Sequence, residues 1–126
     1  MTQDPERPYH HGDLRASLLA AAEAELADRG VEAFSLRQVA KRAGVSHAAP
    51  AHHFGDAGGL LTALATEGYR AFQQALDDGM AQAGDDPRER QMAAGLGYIR
   101  FATARPALFR LIFGSCLLYT SDAADE

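Results

Sequence analysis

Apolar residues recur at helical spacing along most of the chain, and no segment alternates as a half-buried strand would. A first helix is predicted to begin at Asp13, a suitable N-cap, and to end before Gly30, a suitable C′ residue. Its inner face repeats every four residues: Leu14, Leu18, Ala22 and Leu26. We therefore expect an all-α protein with about five or six helices.

Two short helices joined by a tight turn are predicted next. Ser35 is a candidate N-cap for a helix over 36–43, which Gly44 ends. Ser46 is a candidate N-cap for a second helix that reaches about Phe54. A link this short that contains glycine is typical of a helix-turn-helix, and the alternative is two ordinary helices of a bundle.

Three further helices are expected in the rest of the chain. One runs from about Asp56 to Gly79, one covers about 87–103, and the last begins at Pro106. Three apolar residues of the middle helix are expected to face inward: Met92, Leu96 and Ile99.

Charge is segregated along the chain. The formal net charge is −5, yet residues 33–55 contain no Asp or Glu. Arg37, Lys41 and Arg42 give this window a charge of +3, so the remaining residues carry −8. Because phosphates repel carboxylates, this window is a candidate surface for docking on DNA.

The second short helix adds three histidines and a proline. His47, His52 and His53 can bond to phosphates or base edges. A metal site is the alternative, but the spacing of these histidines suits one poorly. Pro50 is expected past the first helical position, at a cost of at most one backbone bond, with its ring available to a thymine methyl.

The run "LLAAAEAELADRGVEAFSLRQVAKRAGVSHAAPAHHF" resembles the DNA-binding domain of TetR-type transcriptional regulators. With "YHHGDLR" before it and "YIRFATARPALFRLIFG" after it, the chain resembles the branch whose C-terminal domain is named for a Trp-His-Gly motif. The resemblance implies a homodimer that represses from a palindromic operator and releases it when a small molecule binds. It implies DNA contacts by eight residues: Ser35, Arg37, Ser46, His47, Ala49, Pro50, His52 and His53.

Two positions depart from the family's pattern. Ala51 stands where the family usually has Tyr, and Ala57 where it usually has Lys. Gly58 and Gly59 are each expected to weaken the start of the next helix by about 1 kcal/mol. These changes predict weak phosphate anchoring. They favour an alternative function, that of a helical ligand-binding or interaction module with weak or lost DNA binding.

The expected organisation is a flexible arm over 1–11, a DNA-binding domain over 12–71 with its helix-turn-helix at about 35–54, and the start of a ligand-binding and dimerisation domain over 72–115. Residues 116–126 can be read back as the codons of a transposase-based sequencing adapter, so we expect an artificial tail on a C-terminally truncated chain. Five residues are candidates to line a ligand pocket, the alternative being core: Tyr69, Phe72, Met92, Tyr98 and Phe101.

Several functions are not expected from this sequence. It has no apolar run long enough for a membrane span and no signal-peptide pattern, so we expect a cytoplasmic protein. It shows no nucleophile–base set, phosphate loop or metal-ligand spacing, so we expect no enzyme, no metal and no cofactor. The predicted partners are operator DNA, a small-molecule effector and a second copy of the chain.

Overall fold

The computed structural model describes residues 11–114, and all regular structure in this part is helical. The helices are α1 (His11–Arg29), α2 (Leu36–Ala43), α3 (Ala48–Phe54), α4 (Ala57–Ala81), α5 (Pro87–Ala104) and α6 (Pro106–Phe109), which continues into a π-helical turn over Arg110–Gly114. The all-α prediction is confirmed. The predicted tail, and the predicted arm apart from His11, lie outside the described residues. None of the described helices combines the length and apolar character needed to cross a membrane.

The ends of the first two helices follow mostly from local sequence. Gly30 has φ 81° and donates its N–H to the carbonyl of Leu26 at 2.9 Å, as a helix-ending glycine does. The Ser35 hydroxyl caps α2 by accepting from the N–H of Gln38 at 3.3 Å, as predicted. The prediction of Asp13 as an N-cap is wrong, because α1 already begins at His11 and Asp13 lies in its first turn.

The chain divides into two compact units at Leu64, and α4 contributes residues to both. In the first unit α1 packs against α2, and α2 packs against α3. The predicted stripe of α1 is largely confirmed, with Leu14 half-buried and the other three residues buried. The buried apolar residues of this unit are Leu18, Ala21, Ala22, Leu26, Val39, Ala40, Pro50, Leu60 and Leu64.

In the second unit α4 and α5 approach so closely that their backbones nearly touch. A Cβ atom added at Gly97 would lie 2.6 Å from the carbonyl oxygen of Ala75, and one at Gly79 would lie 2.6 Å from that of Ala93. Five aromatic rings pack beside this crossing, with centroids 5.0–6.5 Å apart: Phe72, Tyr98, Phe101, Phe109 and Phe113.

The prediction that Met92, Leu96 and Ile99 face inward is wrong, because they are 73%, 53% and 55% exposed. The face of α5 turned toward α4 instead carries Gly97, which nothing larger could replace without moving a backbone. The close approach therefore selects small residues at this contact, while Met92, Leu96 and Ile99 stay exposed.

Gly97→Ala is expected to lower the free energy of unfolding by about 1–3 kcal/mol, because the added methyl would overlap the Ala75 carbonyl. Gly95→Ala is the matched control, since a Cβ there meets nothing within 4 Å and the same change should raise stability by about 1 kcal/mol. Urea unfolding of the two variants beside the unmodified chain measures both effects. Equal effects of the two substitutions would contradict the close approach of α4 and α5.

Candidate nucleic-acid interface

The turn between α2 and α3 is four residues long, 44–47, and is fixed by backbone hydrogen bonds. Gly44 has φ 72°, in the left-handed region, and closes α2 through its N–H to the carbonyl of Lys41 at 3.2 Å. Val45 donates to the carbonyl of Ala40 at 3.0 Å, which completes a Schellman-type ending. Two short helices packed across such a turn form a helix-turn-helix.

The start of α3 differs from the prediction. Ser46 does not cap the helix through its side chain; its carbonyl accepts from the N–H of Ala49 at 3.1 Å, and the cap position belongs to His47, which makes no side-chain capping bond. Pro50 is the third residue of α3, where an N–H has no acceptor within the helix, so the ring costs no helical hydrogen bond.

Pro50 is also almost completely buried, so the prediction that its ring faces DNA is wrong. The apolar ring is stabilised there by its removal from water. The other predicted contact residues are accessible. Ser35 and Ala49 are half-buried, and the remaining five are exposed: Arg37, Ser46, His47, His52 and His53.

The three cations of the carboxylate-free window have different surroundings. Arg37 and Lys41 are exposed one turn apart on α2, and neither makes an ion pair with any residue that the structure describes. Arg42 instead donates from Nε to Glu25 Oε1 at 2.9 Å and from Nη2 to Asp28 Oδ2 at 2.7 Å. Hydrogen bonds to Glu25 first and Asp28 second raise the pKa of the Arg42 guanidinium above its usual value. The charge left for phosphates is therefore that of Arg37 and Lys41.

Sequence reasoning missed Glu25, which is fully buried on the inner face of α1. Its Oε1 is held by Arg42, and its Oε2 lies 3.4 Å from Arg29 Nε, close enough for attraction but without hydrogen-bond geometry. The sequence contained a signal for this burial: Glu25 follows Leu18 by seven residues and Ala21 by four, which places it on the buried stripe of α1.

A second missed contact involves α3 and the start of α1. The guanidinium carbon of Arg15 lies 4.9 Å from the centre of the Phe54 ring, in cation–π geometry. The ring of His53 lies 6.1 Å from that of Phe54, and the ring of His52 lies 5.6 Å from that of His53. A positive side chain thus lies beside the end of α3 that carries both histidines.

The first carboxylate after the window is engaged at a helix start. Asp56 Oδ1 accepts the N–H of Gly59 at 2.8 Å, so its negative charge lies at the N-terminus of α4, where the helix dipole favours it. Gly59 is required there, because a Cβ would lie 1.9 Å from the carbonyl oxygen of Phe54. The prediction that Gly59 simply weakens α4 is therefore wrong: it is the residue that lets α4 begin directly after α3.

The five candidate pocket residues have different surroundings. Phe72, Tyr98 and Phe101 belong to the aromatic cluster, and the Tyr69 hydroxyl donates to the carbonyl of Ile112 at 3.2 Å. Met92 lies apart, in an open groove of about 310 Å³ between the end of α4, with the two residues that follow it, and α5 as far as Arg100. Within residues 11–114 no group of three or more His, Cys, Asp or Glu is arranged to hold a metal ion.

The fold and this surface define a helix-turn-helix domain of the kind that regulators of transcription use. Residues 18–64 match the family model described as "Bacterial regulatory proteins, tetR family". A curated relative, "HTH-type transcriptional regulator BetI" of Stenotrophomonas maltophilia (strain R551-3), is 35% identical over 79 residues, which are 63% of this chain and 40% of the relative. That relative's name describes a transcriptional regulator.

Solved structures share the fold. A protein of unknown function from Rhodococcus sp. RHA1 is 47% identical, with a TM-score of 0.72 over 85% of this chain and 55% of its own. A TetR family transcription regulator from Marinobacter aquaeolei VT8 is 31% identical, with a TM-score of 0.63 over 80% of this chain and 52% of its own. A TetR-like regulator from Rhodococcus sp. RHA1, 19% identical with a TM-score of 0.73 over 91% of this chain and 64% of its own, shows the fold alone. The chain thus spans 40–64% of the length of these proteins.

Gly59→Ala is expected to destabilise the junction of α3 and α4 by about 1–3 kcal/mol, because the methyl would overlap the Phe54 carbonyl. Gly58→Ala is the control, since its nearest neighbour is Asp56 Oδ1 at 3.5 Å, an ordinary contact. That control should be neutral or gain up to about 1 kcal/mol from better helix propensity. The measurement is urea unfolding followed by circular dichroism, and a stabilised Gly59→Ala protein would refute the role given to Gly59.

Proposed function

We propose that this chain is the N-terminal part of a ligand-responsive transcriptional repressor that acts in the cytoplasm, as a homodimer, on a palindromic operator. The observation that carries the proposal is the exposed, carboxylate-free surface of α2 and α3, within the segment that matches the tetR family model. A helix-turn-helix with this surface suits the phosphate backbone, because nothing on it repels a phosphate.

In this proposal α3 enters the major groove and α2 crosses the backbone. Arg37 and Lys41 neutralise phosphates, since both are exposed on α2 without an internal ion pair among the described residues. Ser46, His47, His52 and His53 reach base edges or phosphates from the turn and α3, while the half-buried Ser35 and Ala49 allow close approach.

The rest of the regulator is proposed from the resemblance to the Trp-His-Gly branch. The DNA-binding domain covers residues 12–71, and residues 72–115 begin a truncated domain that binds the effector and pairs two copies. The aromatic cluster supports this part of the proposal, because its rings could extend into an apolar pocket once further helices are present.

A second function is favoured by two observations at the same surface. Ala51 is exposed and Ala57 is half-buried, so neither supplies the hydroxyl or cation usual in the family. The alternative is therefore a helical ligand-binding or interaction module whose DNA binding is weak or lost.

The full-length parent protein is expected to bind its own upstream intergenic DNA better than random DNA. Affinity should fall steeply as salt rises, with a slope of log affinity against log salt of about −0.9 for each phosphate neutralised. Fluorescence anisotropy over a salt series measures both quantities. Binding no tighter than to random DNA of equal length would overturn the proposal and favour the interaction module.

Arg37→Ala is expected to weaken DNA binding and to reduce the magnitude of the salt slope by about 0.9 per subunit, because one phosphate contact is lost from each. Arg88→Ala removes the same charge from an exposed position at the start of α5 and serves as the control, with unchanged affinity and slope. The circular dichroism of both variants should match that of the unmodified protein. An unchanged slope for Arg37→Ala would remove Arg37 from the interface.

A further inference from the structure

One buried charge connects the helix-turn-helix to the helix that supports it. Glu25 is fully buried, and it is the one charged or polar side chain classed as buried within residues 13–114. Removing a carboxylate from water is costly, and replacing a whole buried ion pair by apolar residues of similar volume is often neutral or stabilising. The burial of Glu25 is therefore better explained by what the carboxylate holds than by a general gain in stability.

What it holds is the last turn of α2. Arg42 Nε donates to Glu25 Oε1 at 2.9 Å, while Arg42 Nη2 donates to Asp28 Oδ2 at 2.7 Å. The two carboxylates lie on α1, three residues apart, so the guanidinium is hydrogen-bonded to one helix at two positions. Lys41, one of the two cations left for phosphates, is the preceding residue of α2.

We propose that Glu25 is a positioning residue for DNA recognition: through Arg42 it fixes α2 on α1 in the orientation that presents Arg37, Lys41 and α3 to the duplex. It also keeps Arg42 away from the phosphates, so Arg42 is a structural cation within an otherwise DNA-facing window. This inference rests on the proposed function and adds to it a residue that touches no DNA.

The direction in which Glu25→Leu changes DNA affinity separates positioning from simple electrostatics. Glu25→Leu removes a negative charge from the DNA-binding domain, so electrostatics alone predicts tighter binding. Positioning predicts weaker binding to the upstream DNA, by about five- to tenfold. The midpoint of urea unfolding should change little, because the remaining Arg42 is partly exposed and keeps its bond to Asp28. Affinity equal to or above that of the unmodified protein would overturn the proposal. Glu25→Gln, which keeps the shape, tests the same sign if the leucine variant fails to fold.

Asp28→Asn is the matched control for lost charge. Asp28 accepts from the same guanidinium, but its side chain is 63% exposed, so its bond to Arg42 is screened by water. Its removal should leave DNA affinity unchanged or slightly raised. A loss equal to that of Glu25→Leu would show that the exposed Asp28 matters as much as the buried Glu25, and it would overturn the special role of Glu25.

Arg42→Gln tests whether Arg42 touches phosphate. The proposal expects weaker binding with an unchanged salt slope, because no counterion is displaced by Arg42. A slope reduced in magnitude by about 0.9 per subunit would instead make Arg42 a phosphate contact and overturn the proposal. The double variant Glu25→Gln with Arg42→Gln should recover part of the affinity lost by Arg42→Gln, because two amides can restore a hydrogen bond between α1 and α2.

Amide hydrogen exchange without DNA keeps the two proposals separable. Glu25→Leu should lower protection at Val39 and Ala40 in α2 and leave α5 unchanged, whether or not the protein binds DNA. If the unmodified protein shows no preference for its upstream DNA, the proposed function fails, whereas unchanged exchange in α2 overturns the positioning role of Glu25.

Discussion

The ion pair between Glu25 and Arg42 is the interaction on which the candidate interface depends. It joins α1 to α2 at the point where α2 turns toward α3, and it does so with one partner fully buried. Removing Arg42 would cost far more than an exposed pair contributes, because the buried carboxylate of Glu25 would be left without compensation. The apolar core holds these helices together, whereas the directional hydrogen bonds of this pair fix the orientation of α2 on α1.

The pair also changes how the basic window is understood. Three cations within a carboxylate-free segment indicate a charge of +3 available to phosphates. With Arg42 bound to Glu25 and Asp28, two of the three face solvent without an ion pair to any described residue. The surface remains free of carboxylates, but the proposed attraction for DNA rests on fewer charges. Ala51 and Ala57 supply neither the Tyr nor the Lys that is usual in the family. Shape and hydrogen bonding then carry more of the proposed recognition.

Close backbone approach explains the other places where local reasoning failed. Gly59 counts as a weak helix former by propensity, but its missing Cβ lets α4 start against the Phe54 carbonyl. Gly97 likewise admits the backbone of α4, so the small face of α5 turns inward while Met92 and Leu96 stay exposed. A hydrophobic-periodicity argument assigns large apolar residues to the inside, and it has no means of detecting that two backbones nearly touch.

The sequence alone determined the all-α class and the charge segregation, which follow from periodicity and composition along the chain. It also determined the bounds of α2, its Ser35 cap and the glycine endings at Gly30 and Gly44, because these depend on residues within one or two turns of each other. The tertiary structure decided that Glu25 and Pro50 are buried, that Arg42 is bound to α1, and which face of α5 meets α4. Those outcomes depend on atoms brought together from distant parts of the chain. Burial and pairing there follow from the packing of whole helices, which no local pattern specifies.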